Sequence, residues 1–325
     1  MPRGFPGVKD FMSAMEAVHL VEVSQPMRKK QGETLQCETM PSTIPDGACL
    51  TTPGSGTQVK SHHLPVSDWT VRSQIQWHSD MEEIPRTCPE FVIGHEFLDA
   101  LPVHQFVKSQ AREWRERMVD IAEDSDPLQL RFVLAPSITP AAAVFPKIRL
   151  SWMPASERDA ITELEVGSDM LSLGSRLAER ISQVGGATLL IDYGKNSPYP
   201  CSLQGIRKHQ RVHALELPGE TDVSAYVDFA ALRHSIEESD CNAIAYGPIE
   251  QRYLLKELGI DERVNSLVPN ATAMQYEQLK SGYERLIGSE ETGQAEGMGK
   301  LYKAMVITQK GNSIPVGFEH GLRAL

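Results

Sequence analysis

The alternation of apolar and polar positions divides this chain into short strands and amphipathic helices. VHLVEV, Val18 to Val23, is the first clear strand, and residues 8–17 are expected to form a helix running into it. Gln25 to Gln36 reads as a helix, with Ser24 as its N-cap and Pro26 in its first turn. Residues 40–62 are rich in Pro, Gly, Ser and Thr and predict an exposed loop. Ser73 to Trp77 predicts a strand, and Phe91 to Gly94 a short buried one. REWRERMVDI and LRFVLAP predict an antiparallel pair closing at Pro136, while residues 141–165 show no clear period. Met170, Leu171, Leu173, Leu177, Ile181 and Val184 have helical spacing, and Gly185-Gly186 ends that helix. Ala187 to Ile191 is the strongest strand and runs into Asp192-Tyr193-Gly194. Beyond it the pattern predicts a helix near Phe229 to Glu238 and a strand near Ala243 to Tyr246. Helices at Ile249 to Leu258 and Tyr276 to Ile287 follow, then a polar loop from Ser289 to Gly299 and a last strand from Leu301 to Thr308. Strands alternating with helices give an α/β fold, a mostly parallel sheet with helices on both faces.

Composition narrows the partners more than the fold. The chain has 325 residues, 41% of them hydrophobic and 23% charged, enough to build the core of one large or two ordinary domains. A net charge of -11 with no basic block argues against nucleic acid as a partner. It suits a basic protein partner, although a solvated acidic surface is the commoner cause. Five scattered cysteines without a CxxC pair point to reduced thiols in an intracellular compartment. No run of about 18 apolar residues occurs, so no membrane span is expected. The segment MPRGFPGVKDFMSAMEA has cationic character but is too short and too acidic for a transit peptide.

Candidate chemistry gathers where predicted strands end. His95, Glu96 and Asp99 follow Phe91 to Gly94 at once. Carboxylates past the carboxyl end of a strand sit where open α/β sheets bind ligands, and acids capping a helix N-terminus would look the same. Glu22 ends the first strand, where an acid can accept both hydroxyls of a ribose; a surface acid is the commoner occupant. Trp77 and His78 either meet an adenine ring or belong to the core and the surface. Asp192 and Tyr193 end the strongest strand, as a substrate contact or as a turn. For Asp222 and Asp228 the residues alone favour helix caps. Gly54-Ser55-Gly56 is no dinucleotide fingerprint, Gly299-Lys300 is no P-loop, and no GxSxG elbow occurs. His62-His63 lacks a partner at ligand spacing, so no metal is expected.

HEFLDALPVHQF resembles the signature of the MidA family of S-adenosylmethionine-dependent methyltransferases, with Leu98 in place of a second Phe. VHLVEVSQPMRKKQ, GGATLLIDYG, PGETDVSAYVDFAALR, YGPIEQRYLLKELGIDER and MGKLYKAMVIT are similar to further motifs of that family; Ser224 stands where Thr is usual. The mitochondrial members are protein arginine methyltransferases that assist respiratory complex I assembly. The resemblance implies a Rossmann-like class I methyltransferase sheet with helices on both faces, an inserted substrate-side region, and a closing antiparallel strand at Tyr302 to Ile307. It implies three parts: a cofactor-binding part over 1–106, an inserted hairpin and helical region over 107–184, and the rest of the sheet over 185–325.

The resemblance also implies S-adenosyl-L-methionine as cofactor, with Glu22 on its ribose and Trp77 and His78 beside it. Glu96, with Asp99 second and His95 beside them, would orient a target guanidinium; the alternatives are that Asp99 braces the loop, and that Glu96 orders the cofactor while His95 only packs. Asp192, Tyr193, Asp222 and Asp228 would contact substrate. The implied substrate is an arginine of a complex I subunit, symmetrically dimethylated, in the mitochondrial matrix, with a homodimer as an open assembly. The family's glycine-rich turn should precede VHLVEVS, yet only 17 residues lie before Val18 and none forms such a turn. The expectation is a chain whose first strand is missing, as in a partial gene model. The alternative is a natural short form, a catalytically inactive scaffold binding a partner through the same cleft.

Overall fold

The computed structural model describes residues 15–35, 37, 43–46, 49–51, 74–123, 128–208, 210–288 and 297–319. They belong to two compact units, residues 1–87 and 88–325. The first unit holds β1 (Ala17–Val21), α1 (Gln25–Thr34), β2 (Cys49–Thr51) and β3 (Gln74–His78). Its sheet order is β1-β3-β2, with β1 and β3 parallel and β2 antiparallel. Ser24 caps α1 by accepting the Met27 N–H, and Pro26 fills a first-turn position whose N–H needs no partner. Ile44, Ile75 and Trp77 form the core under Val18 and Leu20. Buried Arg28 ties the helix to the loop through Asp46 at 2.5 Å and the Ile44 carbonyl at 2.8 Å. The loop expected over 40–62 therefore contains a strand, β2; its other residues lie mostly outside the described ones, as does most of the helix expected over 8–17.

The second unit opens with β4 (Glu90–His95), β5 (His104–Lys108), β6 (Trp114–Ile121), β7 (Leu130–Leu134), α2 (Pro140–Ser151), α3 (Ala155–Arg158) and β8 (Glu163–Val166). The expected hairpin is β6 and β7, but it belongs to a four-stranded antiparallel sheet of order β7-β6-β5-β8. Phe106 and Leu164 pair across β5 and β8 and are fully buried under α2. Residues 141–165, without a clear period in sequence, thus hold two helices and a strand. Pro146 inside α2 explains part of that, because proline removes one rung of the helical ladder.

Next come α4 (Ser168–Val184), β9 (Gly186–Lys195), β10 (Gln204–Arg207), β11 (Gln210–Val212), β12 (Asp222–Ser224), β13 (Val227–Asp228) and α5 (Phe229–Glu237). The chain continues with β14 (Ala243–Glu250), α6 (Gln251–Glu257), α7 (Ile260–Leu267), α8 (Ala273–Ile287), α9 (Met298–Leu301) and β15 (Tyr302–Gln309). β9 is central: β4 runs parallel along it, β13 parallel to its last residues, and β15 antiparallel on its other edge, followed by β14. The antiparallel last strand agrees with the expectation at Tyr302 to Ile307. The helix expected from Ile249 begins at Gln251, because Ile249 pairs with Ala304 in the sheet.

Helices cover both faces of this sheet. Ala187, Leu189 and Ile191 join Ala304, Val306, Leu254 and Phe318 on one face. Leu190, Met305 and Ile307 alternate to the other face and are buried where α4 meets β15. Gly185 ends α4 with φ +80°, and at Gly186 (φ +92°) a Cβ would fall 1.9 Å from the Glu90 carbonyl oxygen. Glycine there lets β9 close against β4. Arg180 of α4 grips Glu90 through two bonds, 2.6 and 2.8 Å.

β4 departs from its expected burial. Phe91 and Ile93 are 66% and 73% exposed, and only the alternate residues face the sheet interior. An apolar run of four reads as buried on both faces, yet this strand is shielded on one.

Candidate active site

β4 delivers the chain to a tight turn. His95 is exposed at the strand end, and Glu96 follows with φ +48°, its N–H still donating to the Ile191 carbonyl at 3.0 Å. The next three amides, of Phe97, Leu98 and Asp99, all donate to Asp192 Oδ2, at 3.1, 2.9 and 3.2 Å. Asp192 Oδ1 accepts the N–H of Tyr193 at 2.9 Å. Asp192 is fully buried near the end of β9 and braces the 96–99 turn. The turn expected of Asp192 and Gly194 themselves is not formed, because both lie within β9.

The braced turn presents Glu96 and Asp99 side by side with two phenols. Tyr193 OH donates to Asp99 Oδ2 at 2.5 Å, and Tyr302 OH donates to Glu96 Oε1 at 2.9 Å. Asp222, exposed on β12, adds a third negative charge that acts on Asp99. Burial first, then the charges of Glu96 and Asp222, raise the Asp99 carboxyl, against the pull of the Tyr193 bond. Among the described residues none of Glu96, Asp99, Asp192 and Asp222 forms an ion pair with a lysine, arginine or histidine. Like charges gathered without a cation are costly unless something positive arrives. Tyr226 and Tyr302 meet the Tyr193 ring edge-on, at 5.2 and 5.6 Å between centroids.

Burial pushes Asp192 up to about 7, with the Asp99 charge adding to it, while its four amide donors pull the other way. A carboxyl raised above its unfolded value, about 3.9, favours the folded state most below that value. The contribution fades as pH climbs through about 7. Asp192→Asn is therefore expected to cost about 1–3 kcal/mol through its mismatched amide group. It should also show a smaller stability loss than wild type between about pH 5 and about pH 8 in urea denaturation. Parallel pH dependences of the two proteins would exclude Asp192 as the titrating group.

Asp228 lies elsewhere. It is buried, accepts the Ala231 N–H as N-cap of α5 at 3.0 Å, and takes Arg149 Nε at 2.6 Å. The helix-cap reading that the residues alone favoured describes it; for Asp222, in a strand, it does not. As a substrate contact Asp228 would have to give up Arg149.

In the first unit, Glu22 is half-buried just past β1. Its carboxylate accepts the Ser24 N–H at 2.8 Å and a long bond from Gln31 at 3.4 Å. A carboxylate has about four lone-pair sites, so it retains acceptors for the two hydroxyls of a ribose. Trp77 does not suit the adenine role: its ring is 0% exposed in the core, and its N–H goes to Gln31 at 2.9 Å. His78 is likewise buried, with Nε2 3.0 Å from His19 Nδ1.

Two residues of this arrangement escaped the sequence. Tyr302 gave no signal beyond opening a strand, because its place depends on register against Tyr193. Arg149 sits in a stretch without clear period and finds Asp228 only through the fold.

A family profile described as "putative S-adenosyl-L-methionine-dependent methyltransferase" matches residues 6–247. The rat "protein arginine methyltransferase NDUFAF7, mitochondrial" is 36% identical over 281 residues, which span 86% of this chain and 57% of the relative. The human protein of the same name is 34% identical over 280 residues, again 86% and 57%. The chain thus spans little more than half the length of these relatives. Among solved structures, a likely methyl transfer enzyme from Burkholderia thailandensis bound to S-adenosyl-homocysteine superposes with a TM-score of 0.59 at 23% identity. The match covers 76% of this chain and 59% of that one, and supports the α/β fold.

Proposed function

Because the chain belongs to this S-adenosyl-L-methionine-dependent methyltransferase family, we propose that it methylates an arginine side chain of a protein. The observation that carries the reading is the uncompensated acidic cluster of Glu96, Asp99 and Asp222 beside Tyr193 and Tyr302. A guanidinium is planar, permanently charged and forked, and carboxylates grip it through parallel hydrogen bonds. Glu96 would hold the guanidinium, with Asp99 as second carboxylate and His95 at the rim. Asp222 would strengthen the field, and Asp192 with Tyr193 would hold the site's shape.

S-adenosylmethionine supplies, when bound, a methyl group on a positively charged sulfur. Glu22 would accept its ribose hydroxyls. The protein's share of the chemistry is orientation, because one guanidinium nitrogen must point along the reacting line. Negative charge at Glu96 and Asp99 also stabilises the cation as it spreads. The methylated nitrogen then sheds a proton, which Asp99, its carboxyl raised by burial, would take.

The same reading takes the substrate to be a subunit of respiratory complex I, with symmetric dimethylation. It places the protein in mitochondria, as the relatives' names have it, and more finely in the matrix, and extends to assembly as a homodimer. It assigns 1–106 to the cofactor side, 107–184 to an insertion on the substrate side, and 185–325 to the rest of the sheet. No helix of the described residues is long and apolar enough to cross a membrane.

The test is a calorimetric titration of this protein with S-adenosylmethionine. Binding is expected, weakened about tenfold or more by Glu22→Ala, since a charge-assisted bond is worth roughly 1.5–3 kcal/mol. Equal affinity of the variant would remove Glu22 from the cofactor site. Absence of binding to wild type would overturn the methyltransferase reading for this chain.

A further inference from the structure

We propose that Tyr193 and Tyr302 are positioning residues that hold Asp99 and Glu96 in place, still charged, for an incoming guanidinium; this rests on the arginine reading above. The two tyrosines are direct partners in the β9–β15 register. Residues directly opposite in an antiparallel pair share a face of the sheet. Their rings meet edge-on at 5.6 Å, and each hydroxyl takes a different carboxylate, Tyr302 that of Glu96 and Tyr193 that of Asp99.

The choice of tyrosine has a physical consequence. A lysine or arginine there would hold the carboxylates equally well but would cancel their charge. A phenol donates one hydrogen bond and brings no charge of its own. Burial drives both phenols upward, so they stay protonated donors across the neutral range. The pair therefore fixes two like charges side by side and leaves the site negative. Glu96 Oε2 accepts no hydrogen bond among the described residues and stays available to a guanidinium. Tyr193 itself is 7% exposed and buttressed by Tyr226, which in turn packs on Tyr199, so its hydroxyl has little freedom to leave Asp99.

The two bonds should be separable by experiment. The groups acting on Asp99 are Tyr193, Glu96, Asp222 and the Ala100 N–H. Tyr193 is the one side chain among them that lowers the Asp99 carboxyl, so Tyr193→Phe leaves burial and like charge opposed by the Ala100 N–H alone and raises it further. The acid limb of the kcat/KM profile should then move to higher pH. Tyr302→Phe should instead raise KM for the arginine substrate about tenfold, with S-adenosylmethionine affinity and melting temperature unchanged.

The probes are a short arginine-containing peptide with radiolabelled S-adenosylmethionine, and methylguanidinium followed by NMR in the absence of cofactor. Phenylalanine keeps the edge-on ring and removes only the hydroxyl; leucine at either position removes both. Phenylalanine variants that match wild type in KM and pH profile, while the leucine variants fail, would reduce the tyrosines to packing and overturn the proposal alone. A wild-type protein that neither methylates the peptide nor binds methylguanidinium would overturn the arginine reading and this proposal together.

Discussion

Asp228→Ala is expected to lower the unfolding free energy by about 3–5 kcal/mol, the usual cost of breaking one partner out of a buried ion pair. Arg149 is 3% exposed and its Nε lies 2.6 Å from Asp228 Oδ2. Without the carboxylate its charge stays buried, with the face of Trp152, 5.7 Å away, as partial relief. The same substitution removes the N-cap of α5, worth about 1 kcal/mol by itself. Asp228→Asn separates the two effects, because an amide oxygen can still accept the Ala231 N–H while the charge is gone. The double change Asp228→Leu with Arg149→Met should recover most of the loss, since a buried pair contributes little net stability once both charges go. Urea denaturation followed by circular dichroism measures all four proteins. A loss below about 1 kcal/mol for Asp228→Ala would mean that Arg149 relaxes to water and that the pair is no anchor.

What the sequence showed and what it hid divide along one physical line. Features set by near neighbours were legible. Ser24 and Pro26 announce α1, the apolar stripe from Met170 to Ile181 announces α4, and the run to Asp192-Tyr193-Gly194 announces β9. Features set by distant partners were not. β5 and β8 are short, and Phe106 and Leu164 look like strand residues only once paired, along with the Gln105–Glu165 bond behind them. Phe91 and Ile93 carry the apolar character of a buried strand but stand exposed, because hydrophobicity alone does not say which faces neighbours cover.

The site follows the same line. Glu96 and Asp99 are visible because they crowd one strand end. The role of Asp192 depends on three amides more than 90 residues away, and Tyr302 lies 206 residues from the Glu96 it holds. Trp77 is a position that the sequence left open. An aromatic residue at a strand end suits a nucleoside contact and a core position equally in sequence, and only its complete burial decides for the core.

Glu96→Gln is expected to reduce kcat for arginine methylation by roughly 10²–10³, about 2.7–4 kcal/mol of transition-state stabilisation. Glutamine keeps the shape of the side chain and an oxygen for the Tyr302 hydroxyl, so the tyrosine bond survives. What disappears is the negative charge and one of the two acceptors that match a guanidinium fork. Glu96 is exposed, and its backbone N–H holds the turn through Ile191 whatever the side chain, so melting temperature should not move. Affinity for S-adenosylmethionine should hold as well, because the ribose is assigned to Glu22. Asp99→Asn should cost less in orientation but remove the proton acceptor. The double variant should then fall short of the product of the two single losses, as expected for groups acting on one guanidinium. Single-turnover methyl transfer on the three variants would show this. A Glu96→Gln protein as fast as wild type would pass the gripping role to Asp99 and leave Glu96 as a bystander held by Tyr302.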